Sequence, residues 1–303
     1  MDVGVVIPQG WTGEYRDRGA AEAWACSVAI AQRVEELGFE SVWLFDHFHP
    51  EEAVEALVFE GFSALAALAV VTRRVRMGHI VACAGYRNPA LTSKMISTID
   101  VISGGRVELG LGAGWHRGEH EAYGFGYPSL RERQERLADS LEIARRLLET
   151  GRATYEGRHA RVEGALDLPR GLQEPRIPII VGGNGPEVTW RLAARFADEL
   201  NLDGPTPETL SAALPVIRSR CTEVGRDPAD LRVSAFMWWG NAPAAGPDRV
   251  GWLQAFRDLG LARVMVAVMD AVDSDEPLER LAQDVTAAGL SMQPGSPPAG
   301  GPG

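Results

Sequence analysis

The feature of this sequence that most restricts its fold is the repeated alternation of short β-branched runs with longer amphipathic stretches. This alternation is typical of βα units on a parallel sheet, because each strand needs a crossover helix to return to the same edge. The pattern predicts eight strands, at Val3–Pro8, Ser41–Phe45, Val75–Ala82, Arg106–Leu111, Ile177–Val181, Glu199–Leu202, Leu231–Met237 and Arg263–Val268.

A predicted helix follows each of these strands. Gly38 should end the first helix, and Pro89 should lie in the first turn of the third. Eight such units favour a closed (β/α)8 TIM barrel, which leaves no sheet edge exposed, over an open doubly wound sheet. The predicted helices are Ala21–Leu37, Gly61–Thr72, one from Asn88, Leu130–Glu149, one from Pro186, Pro207–Val224, Val250–Leu259 and Leu278–Ala288.

Two segments interrupt this rhythm. Residues 154–174 contain Gly157, Gly164, Pro169 and Gly171 and are too long for a plain connection, so we predict an inserted loop region after the fourth βα unit. Residues 291–303 are mostly Pro, Gly, Ser and Ala, which predicts a disordered tail after a single domain over residues 1–290.

Composition excludes several classes of function. The chain has 41 acidic against 30 basic residues and a formal charge of −11, with no basic block, so we expect no nucleic-acid partner. Cys26, Cys83 and Cys221 lack CxxC spacing, which argues against a disulfide framework or a zinc site. No apolar run reaches membrane-spanning length, and residues 1–8 resemble a strand rather than a signal peptide, so we expect a cytoplasmic protein.

In a TIM barrel the carboxyl ends of the strands carry the active site. At one such end, Val181–Glu187 places three glycines between a strand and a helix that is predicted to open with a proline. Backbone N–H groups at such a point bind phosphate, although a tight turn without a ligand is the alternative. The segment matches neither GxGxxG nor GxxxxGK[ST].

Two further strand ends carry candidate chemistry. Asp46–His49 contains an acid and two imidazoles that are suited to acid/base work, while an N-capping Asp with surface histidines is the alternative. We predict no metal, because the sequence supplies no clear third and fourth ligand. Gly110–His116 would let a flat ring lie on the backbone with Trp115 as a wall, or would simply allow close helix–strand packing.

Taken in order, several stretches resemble the luciferase-like flavin monooxygenase superfamily, and within it the group that uses coenzyme F420, a deazaflavin. The resemblance runs from Val3 to about Ala288. It rests on Ser41–Phe48, Tyr86–Leu91 with Lys94–Met95, Asp100–Arg106, Gly110–Trp115, Tyr155–Arg158, Ile179–Gly185 and Ala193–Asp198.

The resemblance implies coenzyme F420, or FMN as the alternative, and assigns roles at the strand ends. His47 matches the family's acid/base histidine and is the predicted catalytic residue. Ala82 and Cys83 would lie at the third-strand bulge, where the family often has a non-prolyl cis peptide. The implied cofactor-binding residues are Asp46, Ala82, Cys83, Gly85, Ala113, Gly114, Gly183, Asn184, Gly185, Glu187 and Val188.

The predicted substrate pocket is apolar. Trp11, Trp115, Trp238 and Trp239 would line it beside His116, although buried core packing is an equal alternative for each indole. Sugar-phosphate dehydrogenases of the family have Glu at the position of Trp115 and Asn at that of Gly118, so their proton acceptor is missing here. His116 and Glu119 also lie within reach of the fourth strand's end.

Three functions follow from the resemblance. The first is an F420-dependent oxidoreductase that transfers a hydride between the deazaflavin and an apolar or conjugated small-molecule substrate. The second is an FMN-dependent monooxygenase supplied by a flavin reductase partner, and the third is a non-catalytic flavin-binding protein. The resemblance also favours a homodimer.

Overall fold

The computed structural model describes residues 1–51, 55–238 and 248–292. The predicted tail from residue 293 onward and Trp239 therefore lie outside the described residues. No helix in the described part of the chain is long and apolar enough to cross a membrane.

The predicted closed parallel barrel is confirmed. Its strands pair in parallel in the order β3-β2-β1-β11-β10-β9-β8-β5, and pairing of β3 with β5 closes the ring. Ala82–Cys83 continues the third strand beside β5. The strands are β1 (Asp2–Val6), β2 (Ser41–Leu44), β3 (Arg76–His79), β4 (Ala82–Cys83), β5 (Val107–Gly112), β6 (Arg152–Glu156), β7 (Arg161–Leu166), β8 (Ile179–Gly182), β9 (Glu199–Asp203), β10 (Arg232–Trp238) and β11 (Arg263–Ala267).

Helices surround the barrel, and local sequence explains several of their ends. Gly38 ends the first helix with φ 86°, a left-handed conformation that glycine adopts without a steric cost. The Asn88 side chain caps the third helix ahead of Pro89. The helices are α1 (Ala20–Leu37), α2 (Gly61–Val71), α3 (Pro89–Ser103), α4 (Arg117–Ala122), α5 (Leu130–Thr150), α6 (Thr189–Phe196), α7 (Pro207–Glu223), α8 (Arg249–Asp258) and α9 (Glu276–Ala287).

Some predicted elements differ in the structure. The third strand is interrupted by a cis peptide between Ile80 and Val81, which lies before Ala82–Cys83 rather than at them. The helix predicted from Pro186 begins only at Thr189, so the glycine segment is a longer loop than expected. The inserted region is not a plain loop, because β6 and β7 pair in it as an antiparallel hairpin. The short helix α4 was not predicted.

Buried charges fill the end of the barrel where the strands begin. Arg263 is fully buried, and its guanidinium lies 3.1 Å from Glu108 Oε1, 3.4 Å from Glu199 Oε2 and 3.7 Å from Glu40 Oε2. Arg76 also binds Glu108. Burial would raise the pKa of Glu108, but the charges and hydrogen bonds of Arg263 and Arg76 lower it to about 2. This network closes the end of the barrel opposite the carboxyl ends of the strands.

Candidate functional site

A cavity of about 740 Å³ opens at the carboxyl ends of the barrel strands. Residues at the carboxyl ends of β4, β5, β8, β9 and β10 form part of its walls, as the barrel rule predicts. The segments that follow β1, β2, β3, β4, β5 and β8 form the rest of the strand-end wall. The predicted residues that the structure places on its wall are Trp11, Asp46, His47, Ala82, Cys83, Ala113, Gly114, Trp115, His116, Gly183, Asn184 and Trp238.

Four predicted cofactor residues do not line this cavity. Gly85 lies behind it, and a Cβ there would be 3.1 Å from the His120 ring. Glu187 is turned outward and its carboxylate lies 2.9 Å from Arg220. Gly185 and Val188 belong to the same loop but are not on the wall.

His47 is held in a fixed orientation by a carboxylate. Its Nδ1 lies 2.8 Å from Glu119 Oε2, and its ring stacks on Trp11 with centroids 4.4 Å apart and planes 8° apart. No described residue forms a hydrogen bond with His47 Nε2. Because ionised Glu119 can only accept, Nδ1 carries a proton, so Nε2 is the nitrogen that can take or give a second one.

Glu119 is fully buried and remains ionised. Its two oxygens accept hydrogen bonds from the Phe48 N–H at 2.6 Å and the Tyr86 hydroxyl at 2.8 Å, in addition to His47. Burial would raise the pKa of Glu119, but His47, Phe48 and Tyr86 outweigh that effect and lower it to about 2. The sequence analysis places Glu119 within reach of the site but does not pair it with His47.

Glu119→Gln should destabilise the protein in a pH-dependent way. The pKa of Glu119 is lowered from 4.5 to about 2 in the folded protein, so its stabilisation is complete above about pH 4.5 and is lost as the pH falls to about 2. We expect the variant to lose about 3 kcal/mol of unfolding free energy at pH 7, and the difference from wild type to shrink over that window. Urea unfolding across a pH series measures this.

Glu163→Gln is the matched control, because Glu163 is an exposed carboxylate on the β6–β7 hairpin. It should change the unfolding free energy by less than about 0.5 kcal/mol. A Glu119→Gln difference that stayed constant from pH 7 to pH 2 would contradict the assignment of an ionised, hydrogen-bonded Glu119.

Asp46 lines the cavity but both of its oxygens are occupied. Oδ2 accepts from the Cys83 N–H at 2.9 Å and from Arg87 at 2.8 Å, and Oδ1 accepts from Arg87 at 2.9 Å. Asp46 therefore fixes the turn after β4. Burial raises the pKa of Cys83 to about 12, so its side chain is a thiol rather than a reactive thiolate.

Aromatic side chains form the apolar wall beside His47. The Trp11 ring centroid lies 4.8 Å from that of Phe45, 6.1 Å from Trp238 and 6.4 Å from Trp115. Trp11 is buried, whereas Trp115 is largely exposed at the mouth of the cavity. The structure thus brings together the three described indoles that the sequence analysis assigned to one pocket.

The glycine-rich loop after β8 is shaped by its backbone. Gly183 has φ 134°, which side chains rarely allow. The Asn184 side chain binds both backbone groups of Asp203, donating to the carbonyl at 2.7 Å and accepting from the N–H at 2.9 Å. Among the described residues, no acceptor is found for the N–H groups of Asn184 and Gly185. Thr189, which the sequence analysis did not single out, adds a side chain to the cavity wall beside this loop.

Three side chains near the site could in principle hold a metal, since ligand atoms of His49, His116 and Glu119 lie within 4.8 Å of one another. Their hydrogen bonds argue against it. His116 Nδ1 accepts from the Glu119 N–H at 3.1 Å and caps α4, so its Nε2 carries the proton and has no lone pair to offer. Both Glu119 oxygens already accept hydrogen bonds.

Three described acidic residues line the cavity: Asp46, Glu51 and Asp203. Arg87 neutralises Asp46. Burial raises the pKa of Asp203, and neither of its side-chain oxygens binds a described residue. Asp203 is the last residue of β9 and lies opposite Phe236 in the register with β10.

Curated relatives are similar in sequence to part of this chain. An F420-dependent glucose-6-phosphate dehydrogenase from Microbacterium testaceum is 33% identical over 65% of this chain and 58% of its own length. A 5,10-methylenetetrahydromethanopterin reductase from Methanopyrus kandleri is 26% identical over 67% of this chain and 58% of its own length. The chain thus spans less than two thirds of the length of either relative.

Solved structures with the same fold cover almost the whole chain. An F420-dependent secondary alcohol dehydrogenase in complex with an F420–acetone adduct superposes with a TM-score of 0.78 at 19% identity, covering 95% of this chain and 98% of that one. The coenzyme F420-dependent tetrahydromethanopterin reductase from Methanopyrus kandleri gives a TM-score of 0.73 at 19% identity, covering 94% and 98%. At this identity the likeness establishes the fold.

A match to a family model shows which protein family the chain belongs to. The model described as luciferase-like monooxygenase matches residues 1–240, which is more than half of the chain and includes the strand ends after β1 to β10. The chain therefore belongs to the luciferase-like monooxygenase family.

Proposed function

We propose that the protein is an F420-dependent oxidoreductase that transfers a hydride between the deazaflavin and an apolar or conjugated organic substrate. The observation that carries the proposal is that one cavity joins the glycine-rich loop at Gly183–Asn184 to the oriented imidazole of His47. Two of the similar proteins support the same cofactor. The glucose-6-phosphate dehydrogenase relative and the tetrahydromethanopterin reductase structure are both described as F420-dependent.

The residues of the cavity fit a phosphate-bearing tricyclic cofactor. The N–H group of Asn184, on the cavity wall, and that of the adjacent Gly185 have no acceptor among the described residues and would hold the phosphate. Asn184 keeps the loop in place through Asp203. Ala113 and Gly114 would line the ring. When bound, F420 supplies a ring carbon that accepts or donates a hydride.

The protein's own residues orient the substrate, exclude water and move a proton. Trp11 and Phe45 form an apolar wall that excludes water near His47. Glu119 keeps the Nδ1 proton in place, so His47 Nε2 accepts a proton when a substrate is oxidised and donates one when a substrate is reduced. Stacking on Trp11 fixes the direction in which that nitrogen points.

Titration of the purified protein with F420 and, separately, with FMN tests the proposal. We expect F420 to bind with a micromolar or lower Kd, detected as a change in deazaflavin fluorescence, and FMN to bind much more weakly. Micromolar FMN binding without F420 binding would instead favour an FMN-dependent monooxygenase that needs a reductase partner. Tight F420 binding without reduction of any conjugated substrate would favour a non-catalytic binding protein.

Asn184→Ala should weaken cofactor binding without unfolding the barrel. The substitution removes both hydrogen bonds to the Asp203 backbone, so the loop loses its anchor to β9. We expect the Kd for F420 to rise ~10-fold, which is the effect of one or two ordinary hydrogen bonds. Fluorescence titration measures the Kd, and circular dichroism checks the fold. An unchanged Kd would show that the loop does not hold the cofactor.

We also propose that the protein acts as a cytoplasmic homodimer. The side chains of Val70 on α2 and of Leu91 and Ile102 on α3 are apolar and exposed, which suits an interface between copies. Cys26, Cys83 and Cys221 are free thiols, as is usual in a reducing compartment. Light scattering coupled to gel filtration would give twice the monomer mass of 32.7 kDa.

A further inference from the structure

We infer that the part of the cavity beside His47 and the Trp11 and Trp238 rings selects an uncharged, flat, conjugated substrate and excludes substrates that carry a phosphate or carboxylate group. The inference rests on the proposed function and narrows its substrate class. It sets this chain apart from the relatives whose printed names include glucose 6-phosphate.

The described part of the cavity wall has no cationic side chain to receive an anion. Among the described residues no Lys or Arg lines it, whereas Asp46, Glu51 and Asp203 do. The sequence of residues 52–54 and 239–247, which lie next to Glu51 and Trp238 in the chain, contains no Lys or Arg either. Anion sites in proteins ordinarily use Arg or Lys, so an anionic substrate would find no counter-charge here.

Three basic residues close in sequence to wall residues already have partners. Arg117, which follows His116 directly, pairs with Glu121. Arg87 donates to both oxygens of Asp46 and to Glu60. The single lysine of the chain, Lys94, binds the Leu168 carbonyl at the edge of the inserted region. Releasing Arg87 for an anion would leave the buried Asp46 carboxylate unpaired, which is costly.

Asp203 adds a repulsive charge. Asp203 lines the cavity next to the glycine-rich loop and in register with Phe236, and no described residue forms an ion pair or a side-chain hydrogen bond with its carboxylate. A substrate anion in the same cavity would be repelled by this charge.

The remaining wall suits a planar, neutral molecule. The Trp11 and Trp238 rings are 25° from parallel with centroids 6.1 Å apart, and Phe45 and Phe236 pack edge to face beside them at 5.7 Å. Such surfaces bind flat conjugated groups by stacking and by burial of apolar area. His47 is the polar group that this wall leaves beside the substrate.

Calorimetric titration with three probes tests the inference: cinnamamide, which is neutral and conjugated, cinnamate, which has the same frame with a carboxylate, and glucose 6-phosphate. At pH 7.5 with F420 bound, we expect cinnamamide to bind at least ~10-fold more tightly than cinnamate, and glucose 6-phosphate not to bind. In Asp203→Lys the preference should fall at least ~5-fold, because the charge is reversed while the backbone groups that Asn184 binds are kept.

Glu163→Lys makes the same change of charge on the exposed hairpin and should leave the preference unchanged. Equal or tighter binding of cinnamate or glucose 6-phosphate, binding of none of the three probes, or an unchanged preference in Asp203→Lys would each overturn the inference. F420 affinity is measured on the same samples. Tight F420 binding with a preference for the anionic probes refutes only the inference. Absence of F420 binding refutes the proposed function. In that case the preference for the neutral probe can still be measured on the protein without F420.

Discussion

His47→Ala should lower turnover by ~10²- to 10⁴-fold, the usual cost of losing a general acid or base, while F420 affinity changes by less than about threefold. The alanine removes the nitrogen that exchanges a proton with the substrate and leaves the glycine-rich loop intact. Steady-state kinetics gives the first quantity and fluorescence titration the second. Loss of F420 binding together with turnover would instead make His47 a cofactor-binding residue.

His49→Ala is the matched control. His49 is only two residues away, but its Nδ1 lies 3.2 Å from the Pro50 carbonyl and it is not on the cavity wall. Its replacement should change turnover by less than about threefold. Unchanged turnover in His47→Ala, or equal losses in both variants, would remove His47 from the proton-transfer step.

Arg263→Met should produce the largest loss of stability. The substitution leaves Glu108, Glu199 and Glu40 close together at the buried end of the barrel without their shared cation. Breaking a buried ion pair costs about 3–5 kcal/mol, because the carboxylates stay buried without the cation that they share. Urea unfolding at pH 7 measures the change in unfolding free energy, and a failure to accumulate folded protein would agree with the same prediction.

Arg232→Met tests whether the effect depends on burial. Arg232 lies on the neighbouring strand and also contacts Glu199, at 3.5 Å, but its side chain is 45% exposed. We expect a loss below about 1 kcal/mol, as for other surface ion pairs. A loss below about 1 kcal/mol in Arg263→Met as well would mean that the buried network does not hold the barrel end together.

The barrel and its helix ends were predictable because their signals are local. Hydrophobic periodicity marks each strand and helix over a few residues, and Gly38 and Asn88 mark helix ends by their backbone preferences alone. The barrel rule then converts strand ends into site residues. This is why Trp11, His47, Trp115 and Trp238 could be assigned to one cavity before the fold was known.

Other features depend on contacts that are distant in sequence. Glu119 lies 72 residues from His47, and α4, which positions it, is only 6 residues long. Arg87, which pairs with Asp46, is 41 residues away, so the sequence assigned Asp46 to acid/base work, N-capping or cofactor binding without this partner. The helix predicted at Pro186 begins at Thr189, because residues 183–188 form the loop that Asn184 anchors to Asp203.

A crystal structure of the protein with F420 bound tests the central claim most directly. The account predicts phosphate oxygens within hydrogen-bonding distance of the Asn184 and Gly185 N–H groups, and the deazaflavin ring in the same cavity as His47 and Trp11. A phosphate bound elsewhere, or a ring separated from His47 by the barrel wall, would contradict it.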